Sequence, residues 1–397
     1  NDFINDTIYT IENTSTCRGY KISTINLYPV KYHPANGKLC YTNKIKLRIE
    51  LKKINQINNI RNNKNDEEVI KNLVENPETI DTYNNKYTPL GFQTLDYSNG
   101  LCSSTDTYEY VIITNNSLND TQGYSYNLSD LITHRQRYSS LNSTIVTVEE
   151  IDACSDYWNN TQVFNDTQAH IREFCKDAYT DWNTEYIAIF GDWDSNNSHK
   201  IVPYRLFKDT EEIDVYKTMA CDMYYSHLAT DWYDQTNQVW GGGRYGTNDL
   251  YGELYVGRIT CSDAEEISNS VYKIINYDIN SSYQTQWLRN VSFFGGNLGW
   301  VSTSKDYMEE IRLGNDTYRN FTGFEEWNTN NSNYTFNTSE RLYHADIGAG
   351  YTSNFSNSIE NDKSAIINHL GHSDITVPIE LSNWNSRYNT KPFFFFF

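Results

Sequence analysis

One histidine near the end of this 397-residue sequence stands where side chains often do chemistry in α/β proteins. In the stretch AIINHLGHSD, residues 365–374, an apolar run stops at Gly371 and His372 follows at once. A histidine at the carboxyl edge of a sheet can act as a general base or activate a thiol. An edge histidine with purely local hydrogen bonds is an equally open interpretation of these residues alone.

Two nearby patterns bear on what His372 could do. His369 and His372 form an H-x-x-H pair, which could hold zinc on a helix. Here the pair lies on a predicted strand and its exit without an evident third ligand, so we expect no metal. Glu253, in LYGELYVGRI, directly precedes an aromatic, β-branched strand and could orient a histidine across the sheet. Taken alone, a solvated carboxylate at a strand start is the more common case.

The segment around Glu253 is rich in Asp, Asn and Gly. Four carboxylates in it could offer oxygen ligands to a possible structural calcium ion: Asp222, Asp231, Asp234 and Asp249. Their spacing is not that of an EF-hand, so a long polar loop on the substrate side is the favoured interpretation.

More carboxylates follow the strand after Glu253. Asp263, Glu265 and Glu266 could line a pocket for basic side chains, or they could cap the next helix. Ser262 and Glu265 have the spacing of a capping box, and acidic residues are favoured in a first turn. We favour the cap.

The elements that must position these residues alternate between strands and helices. The predicted buried strands lie in YEYVIITNN, STIVTVEEI, EYIAIFGDWD, VSFFGG and AIINHLGH. The predicted helices lie in NLSDLITHRQRY, DTQAHIREFCKDAYTDW and SDAEEISNSVYKIINY. This alternation predicts an α/β fold with a mostly parallel sheet, whose ligands bind outside the carboxyl ends of the strands. Gly191-Asp192 and Gly371-His372 are at such ends.

The N-terminal part has a different residue pattern. KLCYTNKIKLRIELKK alternates at period two, which predicts a small β unit reaching residue 53. Residues 54–88 are rich in Asn and charge and read as a linker with one short helix near 66–75. We therefore divide the chain into a β-rich domain, 1–53, the linker, 54–88, and an α/β domain, 89–397.

Composition narrows the function classes. The net charge of −19 argues against binding to nucleic acid or to anionic lipid. No apolar run approaches the ~18 residues of a membrane span. The first residue is Asn, so we expect a leader to have been removed or left out.

Asn-x-Ser/Thr sequons are dense and favour a secreted or cell-surface glycoprotein carrying N-linked glycans. They begin at Asn5, Asn13, Asn115, Asn119, Asn127, Asn142, Asn159, Asn165, Asn196, Asn280, Asn290, Asn315, Asn320, Asn330, Asn333, Asn337 and Asn354. Seven cysteines fit an oxidising compartment. Sequence proximity suggests the disulfide pairs Cys17–Cys40, Cys154–Cys175 and Cys221–Cys261, although connectivity is not fixed by sequence.

Taken in order, eight segments resemble the gingipain-type cysteine peptidases, the C25 family. They are YVIITNN, LITHRQRYSSLNSTIVTVEEI, DTQAHIREFCKDAYTDWNTEYIAIFGDWD, IVPYRLF, CDMYYSHL, GELYVGRI, WLRNVSFFGG and IINHLGHSD. The N-terminal β unit looks like that family's propeptide. The sequons and the Asn-rich linker look more like archaeal surface members than bacterial ones.

The resemblance implies a caspase-like fold and a Cys–His catalytic pair acting on protein or peptide substrates. His372 matches the catalytic histidine, Glu253 the acidic residue that orients it, and Ser373 the position whose amide helps form the oxyanion hole. The family's nucleophile follows the next core strand, here KPFFFFF, at whose end the sequence stops with Phe397. None of the seven cysteines fits, so we expect the sequence to be truncated before the nucleophile and inactive in this form.

Two functions follow from these observations. The first is a secreted cysteine endopeptidase activated by cleavage in the linker, where Arg61 and Lys64 look exposed. The second is a non-catalytic surface or filament glycoprotein, able to self-assemble, on a peptidase-like scaffold. A carbohydrate- or calcium-binding module has less support.

Overall fold

The computed structural model describes most of the chain. The described residues are 7–49, 61, 63–83, 97, 99–103, 105–120, 123–193, 200–208, 218–229, 232–241, 251–279, 286–299, 304–314, 323–324, 336–348, 350–371 and 394–396. They form two compact units, Asn1–Val271 and Tyr272–Phe397, here called the first and second unit. Within the described residues, no helix combines the length and apolar character that crossing a membrane requires.

The chain begins with two antiparallel hairpins and a helix. These are β1 (Tyr9–Cys17) with β2 (Tyr20–Leu27), β3 (Val30–His33) with β4 (Lys38–Tyr41), and α1 (Lys64–Leu73). The short helix predicted near 66–75 is therefore present, capped by the Asn63 side chain. The strand predicted beyond Tyr41 is wrong over residues 42–49, which form no strand. Period-two alternation is not sufficient, because a strand also needs a neighbour with which to pair its backbone.

The sheet of the first unit is parallel and four-stranded. Its strands are β5 (Tyr110–Thr114), β6 (Ser143–Thr147), β7 (Tyr186–Phe190) and β12 (Tyr255–Ile259), in the order β12-β7-β5-β6. Strand β5 is one of the two inner strands and is apolar on both faces: Val111, Ile112 and Ile113 are fully buried. The predicted strand STIVTVEEI ends halfway, because Thr147 forms a capping box with Glu150 and starts a helix.

Helices and short strands surround this sheet. The helices are α2 (Asn116–Asn119), α3 (Leu128–Ser139), α4 (Val148–Ala153), α5 (Thr167–Asp181), α6 (Met223–Ser226) and α7 (Ala264–Ile279), of which α7 crosses into the second unit. The short strands are β8 (Arg205–Lys208), β9 (Thr218–Cys221), β10 (Tyr233–Asp234) and β11 (Val239–Trp240).

The second unit has its own parallel sheet. Its strands are β13 (Asn290–Gly295), β14 (Asn337–Tyr343), β15 (Ile366–Leu370) and β16 (Phe394–Phe396), in the order β14-β13-β15-β16. The helices are α8 (Ser304–Leu313), α9 (His344–Ile347) and α10 (Gly350–Glu360). A core of Phe294, Tyr351, Phe355, Ile359 and Ile367 lies between α10 and the sheet.

These observations confirm the predicted fold class: α/β with parallel sheets flanked by helices, after a β-rich N-terminal segment. The division into 1–53, 54–88 and 89–397 stays a prediction. The boundary between the structural units lies after Val271 and is of a different kind.

Candidate functional site

The Glu253 carboxylate is buried and held at the amino end of β12. The residue is only 1% exposed. Its Oε2 accepts a hydrogen bond from the Leu228 N–H at 2.7 Å, and its own N–H donates to the Ser226 carbonyl at 2.9 Å. A carboxylate buried in this way is fixed in orientation, whereas a solvated strand-start carboxylate, the more common case, is free to rotate.

The other half of the predicted site belongs to the second unit. β15 ends at Leu370 and Gly371 follows, but His372 and Ser373 lie outside the described residues. Their assignment as base and oxyanion-hole residue therefore stays a prediction.

His369 is a core residue. It is 3% exposed, its Nε2 lies 2.5 Å from the Tyr351 hydroxyl, and its ring stacks on Phe355 at a centroid distance of 5.7 Å. Burial lowers its pKa to about 4, so the imidazole is neutral at physiological pH. This environment accounts for His369 through packing, without an ion.

The acidic residues after β12 cap α7. Asp263 Oδ1 accepts from the Glu266 N–H at 2.9 Å, and Glu266 Oε2 accepts from the Ser262 N–H at 2.7 Å. The predicted Ser262–Glu265 capping box is therefore wrong by one residue, although the cap itself is present. Glu265 is exposed.

The carboxyl edge of the first sheet is tied together by Arg258. Its guanidinium makes a bidentate pair with Asp222 (2.7 and 2.8 Å). It also donates to the carbonyls of Gly191, Val202 and Pro203. The predicted Gly191-Asp192 end of β7 is thus at the opposite end of the sheet from Glu253, because β7 and β12 are parallel.

Two members of the possible calcium site already have protein partners. Asp222 pairs with Arg258, and Asp234 accepts three hydrogen bonds from Thr236 and Asn237 within its own turn. Asp231 and Asp249 lie outside the described residues. Structural calcium stays a prediction.

All seven cysteines belong to the first unit. None of the three predicted disulfides is formed, since Cys40, Cys154, Cys175, Cys221 and Cys261 are free thiols in the structure. The pairings, including Cys17–Cys40, stay predictions for an oxidising compartment. Desolvation raises the pKa of Cys175 to about 12 and of Cys261 to about 11, so these are weak nucleophiles at neutral pH.

Several sequon side chains also have structural roles, and two of them are helix caps. Asn115 and Asn127 cap α2 and α3 through Oδ1, which leaves Nδ2, the atom that bonds a glycan, outside the cap. The sequons at Asn5, Asn196, Asn280, Asn315, Asn320, Asn330 and Asn333, and the side chain of Asn13, lie outside the described residues. Which sequons carry glycans stays a prediction.

Sequence reasoning missed a charged contact beside the site. Arg61, expected to be exposed, has a side chain only 5% exposed and lies 3.8 Å from the Tyr179 ring centroid. Together with Arg18 it pairs with the buried Asp66. Lys64 is exposed as expected. No local signal marks this cluster, because Arg18 and Tyr179 lie far from Arg61 and Asp66 in the sequence.

Comparisons with known proteins define the class. Residues 103–396 match the model of Peptidase family C25, and residues 1–87 match the model of the C25 propeptide. The first match covers more than half of the chain, so the chain belongs to peptidase family C25. No curated protein sequence matches it.

Among solved structures, one similar chain is the Arg-specific cysteine proteinase gingipain R (RGPB). The two chains are 16% identical with a TM-score of 0.41, and the match covers 68% of this chain and 48% of that chain. Another is in the complex of Porphyromonas gingivalis RgpB pro- and mature domains, with 16% identity, a TM-score of 0.39, and coverages of 68% and 49%. The chain thus spans about half the length of these solved chains.

Proposed function

We propose that this protein is a secreted, N-glycosylated cysteine endopeptidase of the Cys–His type. The observation that carries the proposal is the buried, fixed Glu253 carboxylate in a member of a cysteine peptidase family. His372 is the proposed base, Glu253 orients its imidazole, and the Ser373 N–H stabilises the oxyanion. Its substrates are proteins or peptides, its location is extracellular or at the cell surface, and its archaeal character stays a prediction.

In the proposed reaction, His372 takes the proton of a cysteine thiol, and the thiolate attacks the peptide carbonyl carbon. The tetrahedral oxyanion is stabilised by the Ser373 N–H. Collapse breaks the C–N bond, and the imidazolium gives its proton to the leaving amine. Water, deprotonated by His372, then hydrolyses the thioester and releases the acid product and the thiol.

The nucleophile is proposed to follow β16. β15 and β16 are parallel, with Ile366 opposite Phe394 and Asn368 opposite Phe396. If the same offset continued, His372 would pair with a position about three residues past Phe397, and this supports the proposed position of the nucleophile. The weak nucleophilicity of Cys175 and Cys261 supports the same assignment.

Peptide hydrolysis by the full-length gene product tests the proposal. We expect His372→Ala to abolish turnover and Glu253→Gln to lower kcat by about 10²-fold, because the amide orients but no longer stabilises the imidazolium. Glu265→Gln is the matched control. This glutamate is exposed and lies after β12, whereas Glu253 is buried and lies before it. Wild-type turnover that survives His372→Ala contradicts the assignment.

A second candidate is a non-catalytic surface or filament glycoprotein that self-assembles. It is favoured by the dense sequons. It predicts that the full-length gene product hydrolyses no peptide and shows no change with His372→Ala, while glycans are present.

A further inference from the structure

An exposed tryptophan precedes two sequons in the connection between α4 and α5. Trp158 is 55% exposed, and the sequons begin at Asn159 and Asn165. The indole is nevertheless held in one orientation. Its Nε1–H donates to the Asp152 carbonyl at 2.9 Å, and its ring stacks on His170 with a centroid distance of 5.9 Å and 13° between the planes. The protein thus presents a fixed aromatic surface to the solvent.

The side chain of Asn165 is also fixed in orientation. Its Oδ1 accepts a hydrogen bond from the Asn159 N–H at 3.2 Å and lies 2.9 Å from His170 Nε2. A backbone N–H can only donate, so the amide atom that faces it is the oxygen. The Nδ2 group, which bonds the sugar in an N-linked glycan, is therefore turned away from both partners. Asn165 is an exposed residue, which leaves room in the solvent for a glycan.

His170 connects the indole to the sequon amide. The residue is 8% exposed, and its Nδ1 lies 2.7 Å from Asp152 Oδ1. One face of the imidazole stacks on Trp158, and its Nε2 edge binds Asn165. The indole and the amide are therefore separated by a single imidazole ring, and both are held in place by it.

We propose that Asn165 carries an N-linked glycan and that the first pyranose ring of this glycan packs on the Trp158 indole. A pyranose has a face of C–H groups, and this face packs on aromatic rings while the hydroxyl groups stay in water. Because the amide and the indole are both held before the sugar arrives, the contact costs little conformational entropy. The inference rests on the N-glycosylation in the proposed function and is independent of peptide hydrolysis.

The attachment is a group transfer from a lipid-linked sugar donor. Asn165 Nδ2 forms a bond to the anomeric carbon of the sugar. The C–O bond to the lipid phosphate breaks, the phosphate leaves with the electron pair, and one Nδ2 proton passes to a base of the oligosaccharyltransferase. In the folded chain the sequon hydroxyl of Thr167 donates to Asp152 Oδ2 at 2.9 Å. We therefore expect the transfer to occur before this loop folds.

The neighbouring sequon provides an internal comparison. The Asn159 side chain bonds to its own turn, where its Oδ1 accepts from the Thr161 N–H at 2.8 Å. Its amide is thus held by the turn instead of by the imidazole. We expect a sugar on Asn159 to leave the indole of Trp158 uncovered.

Oxidative footprinting of the full-length gene product tests the proposal. The protein is produced in a host that attaches N-linked glycans and in one that does not, and hydroxyl-radical oxidation is mapped by mass spectrometry. We expect glycopeptides that contain Asn165 from the first host only, and oxidation of Trp158 that is several-fold slower in the glycosylated protein. Trimming the glycan to its first sugar with an endoglycosidase should keep this protection.

Substitutions at the sequon separate the sugar from the protein contacts. Thr167→Ala removes the sequon but leaves Asn165 in place, so Trp158 should be oxidised faster in the glycosylating host and at an unchanged rate in the other. Any effect of losing the hydrogen bond to Asp152 would appear in both hosts. Thr167→Ser keeps the sequon and the hydroxyl and should keep the protection. Asn159→Gln is the matched control and should also leave Trp158 protected.

Three other aromatic rings near the sequon supply an alternative surface for the sugar. They pack on one another at centroid distances of 5.1–5.7 Å and belong to Phe164, Tyr233 and Trp240. Protection of these rings in place of Trp158 overturns the proposal, as does an unmodified Asn165 or equal oxidation of Trp158 in the two hosts. Glycans at other sequons with an unmodified Asn165 refute only this inference, whereas a protein without any glycan also refutes the N-glycosylation in the proposed function.

Discussion

The buried carboxylate of Asp177 should make the first unit less stable as the pH rises. Asp177 is 0% exposed on α5, and its Oδ2 accepts from the Tyr157 hydroxyl at 2.5 Å and from the Cys102 N–H at 3.4 Å. A Cβ at Gly100 would come within 2.5 Å of the same oxygen, so only glycine fits there. The buried carboxylate thus links the segment 99–103 to α5.

The magnitude follows from the pKa of Asp177. Desolvation by burial raises this pKa from 3.8 to about 6, although the hydrogen bond from Tyr157 opposes the change. The difference of roughly 2.2 corresponds to about 3 kcal/mol. Because the folded-state pKa is raised, this stabilisation is fully present below pH 3.8 and is lost as the pH rises through about 6.

Asp177→Asn isolates this contribution, because the amide stays neutral and can still accept from Tyr157. We expect the free energy of unfolding of the variant, relative to wild type, to increase by about 3 kcal/mol between pH 3.5 and pH 7. Urea denaturation of both proteins across this range measures it, and other titrating groups cancel in the difference. Glu265→Gln, at an exposed carboxylate on α7, is the control. A difference between Asp177→Asn and wild type that does not vary with pH refutes the reasoning.

Two other contacts, the Arg258–Asp222 ion pair and the His369–Tyr351 hydrogen bond, can also be tested by urea denaturation. Arg258→Met should lower the free energy of unfolding by about 2–4 kcal/mol, because Asp222 loses its partner. Adding Asp222→Asn should restore part of this loss, and a double variant without any recovery would contradict the pairing. Burial lowers the pKa of His369 from 6.5 to about 4. The stability that this group contributes is therefore present above pH 6.5 and is lost as the pH falls through 4. His369→Gln should remove this pH dependence. Tyr351→Phe should cost about 1 kcal/mol at pH 7, and no loss would argue against its bond to His369.

Continuous apolar runs made the central strands predictable. β5, β7, β13 and β15 are apolar enough to be buried within parallel sheets, and this pattern is local in the sequence. The strand β14, NTSERLY, was not predicted, because it lies at the edge of its sheet and keeps polar residues. An edge strand such as β14 can keep polar residues on both faces, and it then lacks the apolar signal that marks the central strands.

Contacts between distant residues were not predictable in the same way. Asp66 is 48 residues from Arg18, and only the fold brings them together. Arg61 was interpreted as exposed, but its guanidinium lies 3.8 Å from the Tyr179 ring centroid and pairs with Asp66 on α1. The capping error has a local cause, since Asp263 and Glu266 have the same spacing as Ser262 and Glu265. Spacing alone could not choose between the two pairs.

The central claim is that His372 and Glu253 serve a cysteine that follows β16. Labelling the full-length gene product with a thiol-reactive peptide ketone, followed by mass-spectrometric mapping, tests this most directly. We expect a single labelled cysteine about three residues past Phe397, no labelling in His372→Ala, and slower labelling in Glu253→Gln. Labelling at any of the seven cysteines within residues 1–397, or no labelling at all, would contradict the account.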